Sequence, residues 1–441
     1  MTEKPAKRKG RLVFAIVGAA IALLLGVGLI WVNAERLFGR APTESEQRAF
    51  AEQIKSIRAG QRWKPARDDR PRLTREMLLE SARLGCASLA ANQRPAGNFN
   101  YEYNFVTRAQ STSDNHVRQA GALWGLATCY GLERDEKNRA AVERGIDFFR
   151  RNSKLRGDGA LIPYYPGQMT VASGAVALVS LAIIDYLRVA QDLSPQRHRE
   201  LNDALNGYLT FLQSLQFKAG NFSFGLVRGL NLEIGRGSSY FDGETLLAMS
   251  KAAKYVGRRD LLPIVEKAAA RTAPKYTVEA WRDNADSDQT KGFYQWGSMA
   301  FWEYQDAGWP HAETYADATL ALAWWVIYTH HVSTRTRNTG YAFEGLIHAY
   351  LIARKRGDEA AASRLFRTID RGLYQLTTWQ VGGPLAAKNR FLRAHRTSDP
   401  LAVGAIMNYP DRPELRIDVT QHQIHAVLLA LEYLYPARPS P

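Results

Sequence analysis

Residues 170–216 read TVASGAVALVSLAIIDYLRVAQDLSPQRHRELNDALNGYLTFLQSLQ, and this one stretch shows the pattern that decides the fold. Its first half is almost wholly apolar and rich in alanine and glycine. Its second half repeats apolar residues every three or four positions and carries charges on the opposite side. A helix that is apolar all round is buried, whereas a helix with one charged face lies outside. The stretch therefore predicts an inner helix packed against an outer one.

The same alternation continues along most of the chain. Apolar helices are predicted to begin near Asp114, Thr170, Tyr240, Phe293, Asn338 and Asp418. Amphipathic helices are predicted over residues 74–92, 137–152, 196–216, 260–280, 312–331 and 359–378. Inner helices that alternate with outer ones in this way predict an all-α fold, an (α/α)6 toroid of six helical hairpins. A generic α-helical bundle or solenoid is the competing interpretation.

The chain divides into an N-terminal region and one large domain. Residues 1–11 are basic, and residues 12–32 are uncharged and long enough to cross the roughly 30 Å hydrocarbon core of a bilayer. We expect a cytoplasmic tail followed by a single transmembrane helix, then a stalk over residues 33–72 and a periplasmic toroid domain over 73–437. Cleavage of a signal peptide after Ala34 is the alternative.

The stalk region is polar and is interrupted by prolines. The exception is a possible short helix from about Glu44 to Ile57. The two cysteines of the chain, Cys86 and Cys129, are too few for a disulfide-stapled scaffold or a Cys-rich metal site. Both fall on predicted helices, where buried thiols are expected, with a disulfide as the alternative in an oxidising compartment.

Composition narrows the class of partner. The chain has 441 residues with 46% hydrophobic and 11% aromatic content, which excludes a disordered protein. Its 58 Lys plus Arg outnumber 43 Asp plus Glu and give a net charge of +15, which indicates an acidic partner. Because the domain is expected outside the cytoplasm, we expect no nucleic acid. Anionic polysaccharide, lipid head groups and cell-wall polymers are better candidates.

Loop lengths indicate where a site lies. Connections from inner to outer helices are short, whereas several connections from outer to inner helices are long, over residues 93–113, 217–239 and 377–417. Long loops in a compact domain are usually functional. They are expected to surround the N-terminal ends of the inner helices, and we therefore place the site at that rim.

Polar side chains concentrate in the first turns of the predicted inner helices, and helix capping accounts for only some of them. The candidate catalytic carboxylates are Asp242 or Glu244 as the acid, with Asp114 or Asp418 as its partner. The candidate substrate-binding residues are His116, Arg118, Tyr240, Trp296, Glu344, Arg390, Arg393 and His422. Because Asp242 and Glu244 are two residues apart on a helix, at most one should face the centre. Burial there would raise its pKa, as a general acid requires.

Structural interpretations of the same carboxylates stay open. Asp242 could cap its helix while Glu244 pairs with a cation. Asp114 and Arg118 have the i,i+4 spacing of an ordinary helix-face ion pair, although a buried arginine could instead meet a substrate carboxylate.

The histidines leave a metal site as an alternative. His422 and His425 are spaced i,i+3 and could ligate a metal with His116 or Asp418. The sequence has no phosphate-binding Gly-Lys-Ser/Thr motif, no Gly-x-Ser-x-Gly and no His-Glu-x-x-His. We expect neither a metal nor a cofactor.

Over about residues 73–435 the pattern of helices and rim residues resembles the six-hairpin, (α/α)6-toroid superfamily of carbohydrate-active enzymes. Residues 417–425, IDVTQHQIH, are similar to the last inner helix of glucuronyl C5-epimerases. The resemblance implies glycoside hydrolase, polysaccharide lyase or uronate epimerase chemistry, and the fold does not decide among them.

The expected function is that of a membrane-anchored enzyme acting on an acidic envelope or exported polysaccharide. A hydrolase would use one carboxyl group as acid and another as base or nucleophile. In a lyase or epimerase, Tyr240 or His422 would remove the C5 proton while Arg118 neutralises the uronate. A non-catalytic glycan-binding or scaffolding subunit is the alternative. Expected partners are a polysaccharide or oligosaccharide, the inner membrane through the N-terminal helix, and a polysaccharide synthesis or export complex.

Overall fold

The computed structural model describes residues 39–65, 71–230 and 232–437. In chain order its α-helices are α1 (Glu44–Gly60), α2 (Arg75–Ala91), α3 (His116–Leu132), α4 (Glu136–Arg151), α5 (Ser173–Val189), α6 (Pro195–Ser214), α7 (Ser239–Tyr255), α8 (Leu262–Pro274), α9 (Ala280–Asp283), α10 (Asp288–Asp306), α11 (Ala312–Tyr328), α12 (Gly340–Lys355), α13 (Glu359–Thr377), α14 (Arg390–Ala394) and α15 (Ile417–Tyr433). The long helices coincide closely with the predicted ones.

Six of these helices form a closed inner ring. Helices α3, α5, α7, α10, α12 and α15 each pack on the next in chain order, and α15 packs back on α3. Five outer helices, α4, α6, α8, α11 and α13, each pack on the inner helix that precedes them, and α2 packs on α15. This arrangement is the predicted (α/α)6 toroid.

Small residues allow the inner helices to approach one another closely. A Cβ atom added at Gly174 of α5 would lie 2.1 Å from Oε2 of Glu244 on α7, and one at Gly125 of α3 would lie 2.9 Å from Cγ of Gln421 on α15. Outer helices bury only one face, as in α13, where Leu365, Ile369 and Leu373 are buried at three- and four-residue spacing. The composition of each series thus fixes its place in the ring.

One outer helix departs from the prediction. A continuous helix was expected over residues 260–280, but α8 ends at Pro274 and continues through a π-helical turn, Lys275–Glu279, into α9. Proline has no N–H to donate to the preceding turn, and this loss favours a local change of helical register.

Short strands build the rim at the N-terminal ends of the inner helices. They are β1 (Glu102–Asn104), β2 (Ala109–Gln110), β3 (Ser153–Leu155), β4 (Leu161–Pro163), β5 (Thr170–Ala172), β6 (Gly225–Val227), β7 (Leu232–Glu233) and β8 (Glu414–Arg416). All pairs are antiparallel, in sheets ordered β2-β1-β8, β3-β4 and β5-β6-β7. The strands are two or three residues long, too short for the alternation that would reveal them in the sequence.

Part of the predicted stalk is docked on the domain. Helix α1 is capped by Thr43 and Glu46 and packs on α11, with Phe50 and Ile54 buried. The tail and the proposed transmembrane segment lie outside the described residues. None of the helices within the described ranges is long and apolar enough to cross a membrane.

A disulfide joins the first outer helix to the first inner helix. Cys86 of α2 and Cys129 of α3 are bonded, with Cα atoms 5.6 Å apart and a sequence separation of 43. Both are buried, at 5% and 1% exposure. Of the two states considered from the sequence, the structure therefore contains the disulfide rather than free thiols.

Removing this bond should destabilise the domain without changing its fold. A cross-link over this separation restricts the unfolded chain, and its loss should lower the free energy of unfolding by about 2–4 kcal/mol. Urea unfolding of the wild type with and without reductant, beside a Cys86→Ala/Cys129→Ala variant, measures the difference. The variant should be insensitive to reductant. Equal midpoints for all samples would contradict the expectation.

Candidate active site

Three inner helices begin with the same anchoring contact. The fourth residue of α3, α7 and α15 accepts a hydrogen bond from a backbone N–H of the preceding rim loop: Gln119 from Phe99 at 2.7 Å, Asp242 from Phe222 at 2.7 Å and Thr420 from Ile406 at 3.1 Å. The three donor residues also form equivalent isolated β-bridges: Phe99 pairs with Gln93, Phe222 with Gln216 and Ile406 with Gln380. The three acceptor residues therefore occupy equivalent positions on their helices, and each of them holds a rim loop in place.

This equivalence explains the orientation of the Asp242/Glu244 motif. Asp242 is fully buried and also accepts a hydrogen bond from the hydroxyl group of Tyr276 on the π-helical turn. Since a glutamine and a threonine serve the same position elsewhere in the ring, Asp242 is a loop anchor. The prediction that Asp242 is an acid facing the cavity disagrees with this geometry. Two residues further along, Glu244 and His422 take equivalent positions on the opposite side of their helices, toward the centre.

Asp114 is hydrogen-bonded to side chains of the rim through both of its carboxylate oxygens. Its two oxygens accept hydrogen bonds from Nε2 of Gln119 at 2.7 Å and from the hydroxyl group of Tyr165 at 2.6 Å. The helix is capped by Asn115, and Arg118 pairs with a different helix. Arg118 pairs with Asp418 instead of forming the alternative ion pair with Asp114, and the catalytic partnership of Asp114 stays a prediction.

Asp418 is held as an anion between two arginines. Its Oδ2 lies 3.1 Å from Nε of Arg118 and 2.6 Å from an Nη atom of Arg416. Burial would raise the pKa of Asp418, but the two guanidinium groups outweigh it and keep the pKa below its usual value. Arg118 is further held by the hydroxyl group of Tyr101. Asp418 is therefore ionised, as its predicted role as partner of the acid requires, and both of its oxygens are occupied by arginines.

The centre of the ring holds a carboxylate shared by two histidines. Glu344 of α12 is fully buried, and its oxygens lie 3.2 Å from Nδ1 of His422 and 2.9 Å from Nδ1 of His425, both on α15. Gln295 of α10 donates to the same carboxylate at 3.2 Å. Three inner helices thus meet at one charged group.

The electrostatics of this group make His422 more basic than an ordinary histidine. Burial alone would raise the pKa of Glu344, but His422 and His425 hold it below the usual range. Burial lowers the pKa of His422, but the Glu344 carboxylate raises it by more. The side chain of His422 keeps 22% exposure, against 9% for His425. His422 is therefore the member of the group that a ligand at the rim can reach.

Trp296 lies beside this group, and the carboxyl group of Glu244 is packed against Gly174 of α5. Glu244 is 3% exposed, and within the described part of the chain its Oε2 has no hydrogen-bond partner. Burial raises the pKa of Glu244 well above its usual value. The ring of Trp296 lies 5.7 Å from that of His422, and its buried Nε1 also lacks a partner among these residues. Of the four predicted catalytic carboxylates, Glu244 alone has the environment of a protonated acid.

The perturbed carboxyl group of Glu244 predicts a pH-dependent stability. The native state holds this proton more tightly than the unfolded chain, so wild-type stability should fall as pH rises from the usual glutamate value toward the raised pKa, by up to about 1.4 kcal/mol per pH unit. Glu244→Gln lacks this slope. Urea unfolding at several values from about pH 5 to about pH 8 gives the free energy of unfolding of both proteins. The stability of the variant relative to the wild type should increase as pH rises. A constant difference would refute the buried acid.

The other predicted residues lie at or beyond the rim. His116 is buried, and its Nε2 accepts from the backbone N–H of Ala172 at 3.3 Å, so it joins α3 to β5. Tyr240 is 45% exposed at the mouth, where burial of its hydroxyl end and the nearby Asp288 and Glu244 raise its pKa. Arg390 and Arg393 are exposed on α14.

His425, Gln295 and Arg416 were missed as site residues. His425 had been considered only as a metal ligand, although its i,i+3 spacing from His422 was the signal that both could reach one carboxylate. Across residues 39–65, 71–230 and 232–437, no group of three or more acidic, histidine or cysteine side chains is arranged to hold a metal ion.

A cavity also opens where it was not expected. It has a volume of about 520 Å³ and lies at the C-terminal ends of the inner helices, between Gly131 of α3, Tyr255 of α7 and Tyr433 of α15. We call it the back cavity. Its inner end reaches His425, so the Glu344 group separates the rim from the back cavity.

Solved structures share this architecture. The GH76A alpha-1,6-mannanase from Salegentibacter sp. HEL1_6 matches with a TM-score of 0.55 at 11% identity, over 81% of this chain and 99% of that one. D-mannose isomerase matches with a TM-score of 0.55 at 11% identity, over 80% of this chain and 96% of that one. Cellobiose 2-epimerase from Bacillus thermoamylovorans B4167 matches with a TM-score of 0.50 at 11% identity, over 87% and 99%. The likeness confirms the (α/α)6 toroid.

No protein-family model matches the sequence, and no curated protein matches it either.

Proposed function

We propose that this chain is a carbohydrate-active enzyme that moves a proton at a sugar carbon, as an epimerase or isomerase does. The observation that carries the proposal is the buried Glu344 carboxylate bonded to Nδ1 of His422. A carboxylate on Nδ1 fixes the ring and strengthens the other nitrogen, Nε2, as a base. The similarity to a mannose isomerase and a cellobiose 2-epimerase supports this chemistry on the same fold.

His422 has the position that a proton-transferring base requires. It is the most exposed member of its group, and the ring of Trp296 lies beside it as a surface for a sugar ring. His422 would take the proton from the sugar carbon, and the Glu344 carboxylate would stabilise the imidazolium that forms. Glu244, with its raised pKa, could donate a proton on another side of the substrate.

An acidic substrate is supported by the arginine pair. Arg118 and Arg416 share the carboxylate of Asp418, and Arg118 lies close enough to His422 to lower its pKa. A uronate carboxylate next to the reacting carbon would be neutralised there, and charge that develops on it after proton removal would be stabilised.

Glycoside hydrolysis is the second candidate, and the unpartnered carboxyl group of Glu244 favours it as an acid. However, the predicted partner Asp418 is paired with arginines, and Asp242 anchors a rim loop. In the similar mannanase, a variant with two adjacent aspartates replaced is inactive. In this sequence adjacent aspartates occur only at residues 68–69, outside the toroid's inner helices.

Product analysis separates these candidates. The purified protein would be incubated with mannose, cellobiose and a polyglucuronate, and the products followed by NMR. Epimerisation or isomerisation gives a new sugar without new reducing ends, hydrolysis gives new reducing ends, and elimination gives an unsaturated product. The proposal expects the first result and its loss in His422→Asn. New reducing ends that persist in His422→Asn would support hydrolysis instead, and unchanged sugars throughout would favour a binding module.

We also propose that the domain works outside the cytoplasm, attached by residues 12–32 to the inner membrane beside a polysaccharide synthesis or export complex. The uncharged run in the sequence supports the anchor, and the Cys86–Cys129 disulfide fits an oxidising compartment. Fractionation of cells, with protease added to spheroplasts, tests this: the domain should sediment with membranes and be digested from outside.

A further inference from the structure

The back cavity has the size and openness of a ligand site. Its volume of about 520 Å³ falls within the range of roughly 300–1,000 Å³ that small-molecule sites occupy. Gly131, Arg188 and Glu432 at its mouth are exposed, whereas its wall deeper in the ring contains Trp124 and Met299, which are buried. A molecule can therefore enter from the end of the ring opposite the rim.

The wall of the cavity carries polar side chains that are unusual for a helical core. Asp185, Lys251, Glu303, His348 and His425 line it, and each is less than 9% exposed. Burying so many ionisable groups is costly unless they are paired or meet a ligand. The mixture of donors and acceptors suits hydroxyl groups, which both donate and accept hydrogen bonds.

The buried carboxylates on this wall are paired within the protein. Nζ of Lys251 lies 2.5 Å from Asp185, and Nζ of Lys254 lies 2.7 Å from Glu303. Burial lowers the pKa of His348 to about 4, so this ring is neutral at neutral pH. Neither Asp185 nor Glu303 is therefore free to select a cationic ligand.

Two histidines of the wall use only one ring nitrogen each for hydrogen bonds within the described residues. The hydrogen bonds of His348 and His425 among the described residues go through Nδ1, to the backbone carbonyl and the carboxylate of Glu344 at 2.7 and 2.9 Å. Both rings are thereby fixed while they line the cavity. Trp302 adds aromatic surface to the same wall, the kind of surface on which the apolar face of a sugar ring packs.

We propose that the back cavity is a second carbohydrate-binding site, which takes a neutral sugar of one or two rings from the end of the toroid opposite the His422 rim. This inference concerns binding and does not rest on the proposed catalytic function. A site at each end of the ring would let one molecule hold two parts of a glycan, or a glycan and a product, at once.

The test uses a substitution that closes the mouth. Gly131 is exposed on α3, and a Cβ atom there meets nothing nearer than Val189 Cγ2 at 3.9 Å, so Gly131→Trp can fill the entrance without disturbing the fold. Gly60→Trp is the matched control, since Gly60 is an exposed helical glycine of α1 with open space around it. Both are made in a His422→Asn background, which prevents turnover by the proposed mechanism. Circular dichroism checks that each variant is folded.

Isothermal titration with mannose and with cellobiose gives the result. We expect saturable binding of at least one of them to His422→Asn, unchanged binding with Gly60→Trp, and at least a tenfold loss with Gly131→Trp. Trp302→Ala should also weaken binding about tenfold, through loss of the aromatic surface. Equal affinity of the Gly131→Trp and Gly60→Trp proteins, or no binding of either neutral sugar, would overturn the proposal. Neither outcome depends on whether the rim catalyses a reaction.

Discussion

Replacing Glu344 with glutamine should reduce the turnover rate by at least about 100-fold while the domain stays folded. The carboxylate holds Nδ1 of both His422 and His425 and stabilises the protonated form of His422. The amide has a similar shape but no charge, so it removes the electrostatic support and keeps the packing. The loss should appear mainly in kcat, since Glu344 is buried and does not meet the substrate.

The pH profile distinguishes this role from a structural one. Glu344 raises the pKa of His422, and a base works only when it is deprotonated. In Glu344→Gln the pKa of His422 should fall, so the acidic limb of the residual activity should move to lower pH. Glu344→Asp, which keeps the charge, should retain more activity than the glutamine variant. A profile that does not move, with a rate close to that of the wild type, would remove Glu344 from the mechanism.

Asp242→Ala should instead lower the free energy of unfolding, by about 2–5 kcal/mol, with little effect on the activity of the folded fraction. The substitution leaves two buried donors without an acceptor, the N–H of Phe222 and the hydroxyl group of Tyr276, and each such group costs about 1–3 kcal/mol. Urea unfolding and activity per folded molecule measure the two effects separately.

Asp242→Asn is the matched control, because its side-chain oxygen can still accept from Phe222. It should recover much of the lost stability. Gln119, which accepts from Phe99 in the same way, shows that a neutral amide is adequate at this position. If Asp242→Ala were as stable as the wild type but inactive, Asp242 would return as a candidate acid.

The fold could be predicted because every segment of the ring carries its own signal. Helices such as α5 and α6 differ so strongly in apolar content that the inner and outer series separate by composition alone. The short strands of the rim and the docking of α1 carry no comparable signal. Strands of two or three residues show no periodicity, and the packing of Phe50 and Ile54 depends on a surface of α11 far along the chain.

The site could be predicted only in part. The rim residues Glu244, Glu344 and His422 were found because polar side chains are rare in apolar helices. The roles of Asp242, Asp114 and Asp418 could not be assigned, since their partners Phe222, Tyr165 and Arg416 lie on other segments. An aspartate that holds a loop and an aspartate that faces a cavity look the same in the sequence. Only the residues around them in the folded structure distinguish them.

The most direct measurement of the central claim is the incorporation of deuterium from solvent. Wild-type protein and His422→Asn would each be incubated in D₂O with mannose, cellobiose and polyglucuronate, and the sugar carbons examined by NMR and mass spectrometry. We expect deuterium at a carbon next to the aldehyde or carboxylate group with the wild type, and at least a 100-fold slower incorporation with His422→Asn. Conversion of a sugar with no solvent deuterium, or equal incorporation by the variant, would contradict His422 as the base.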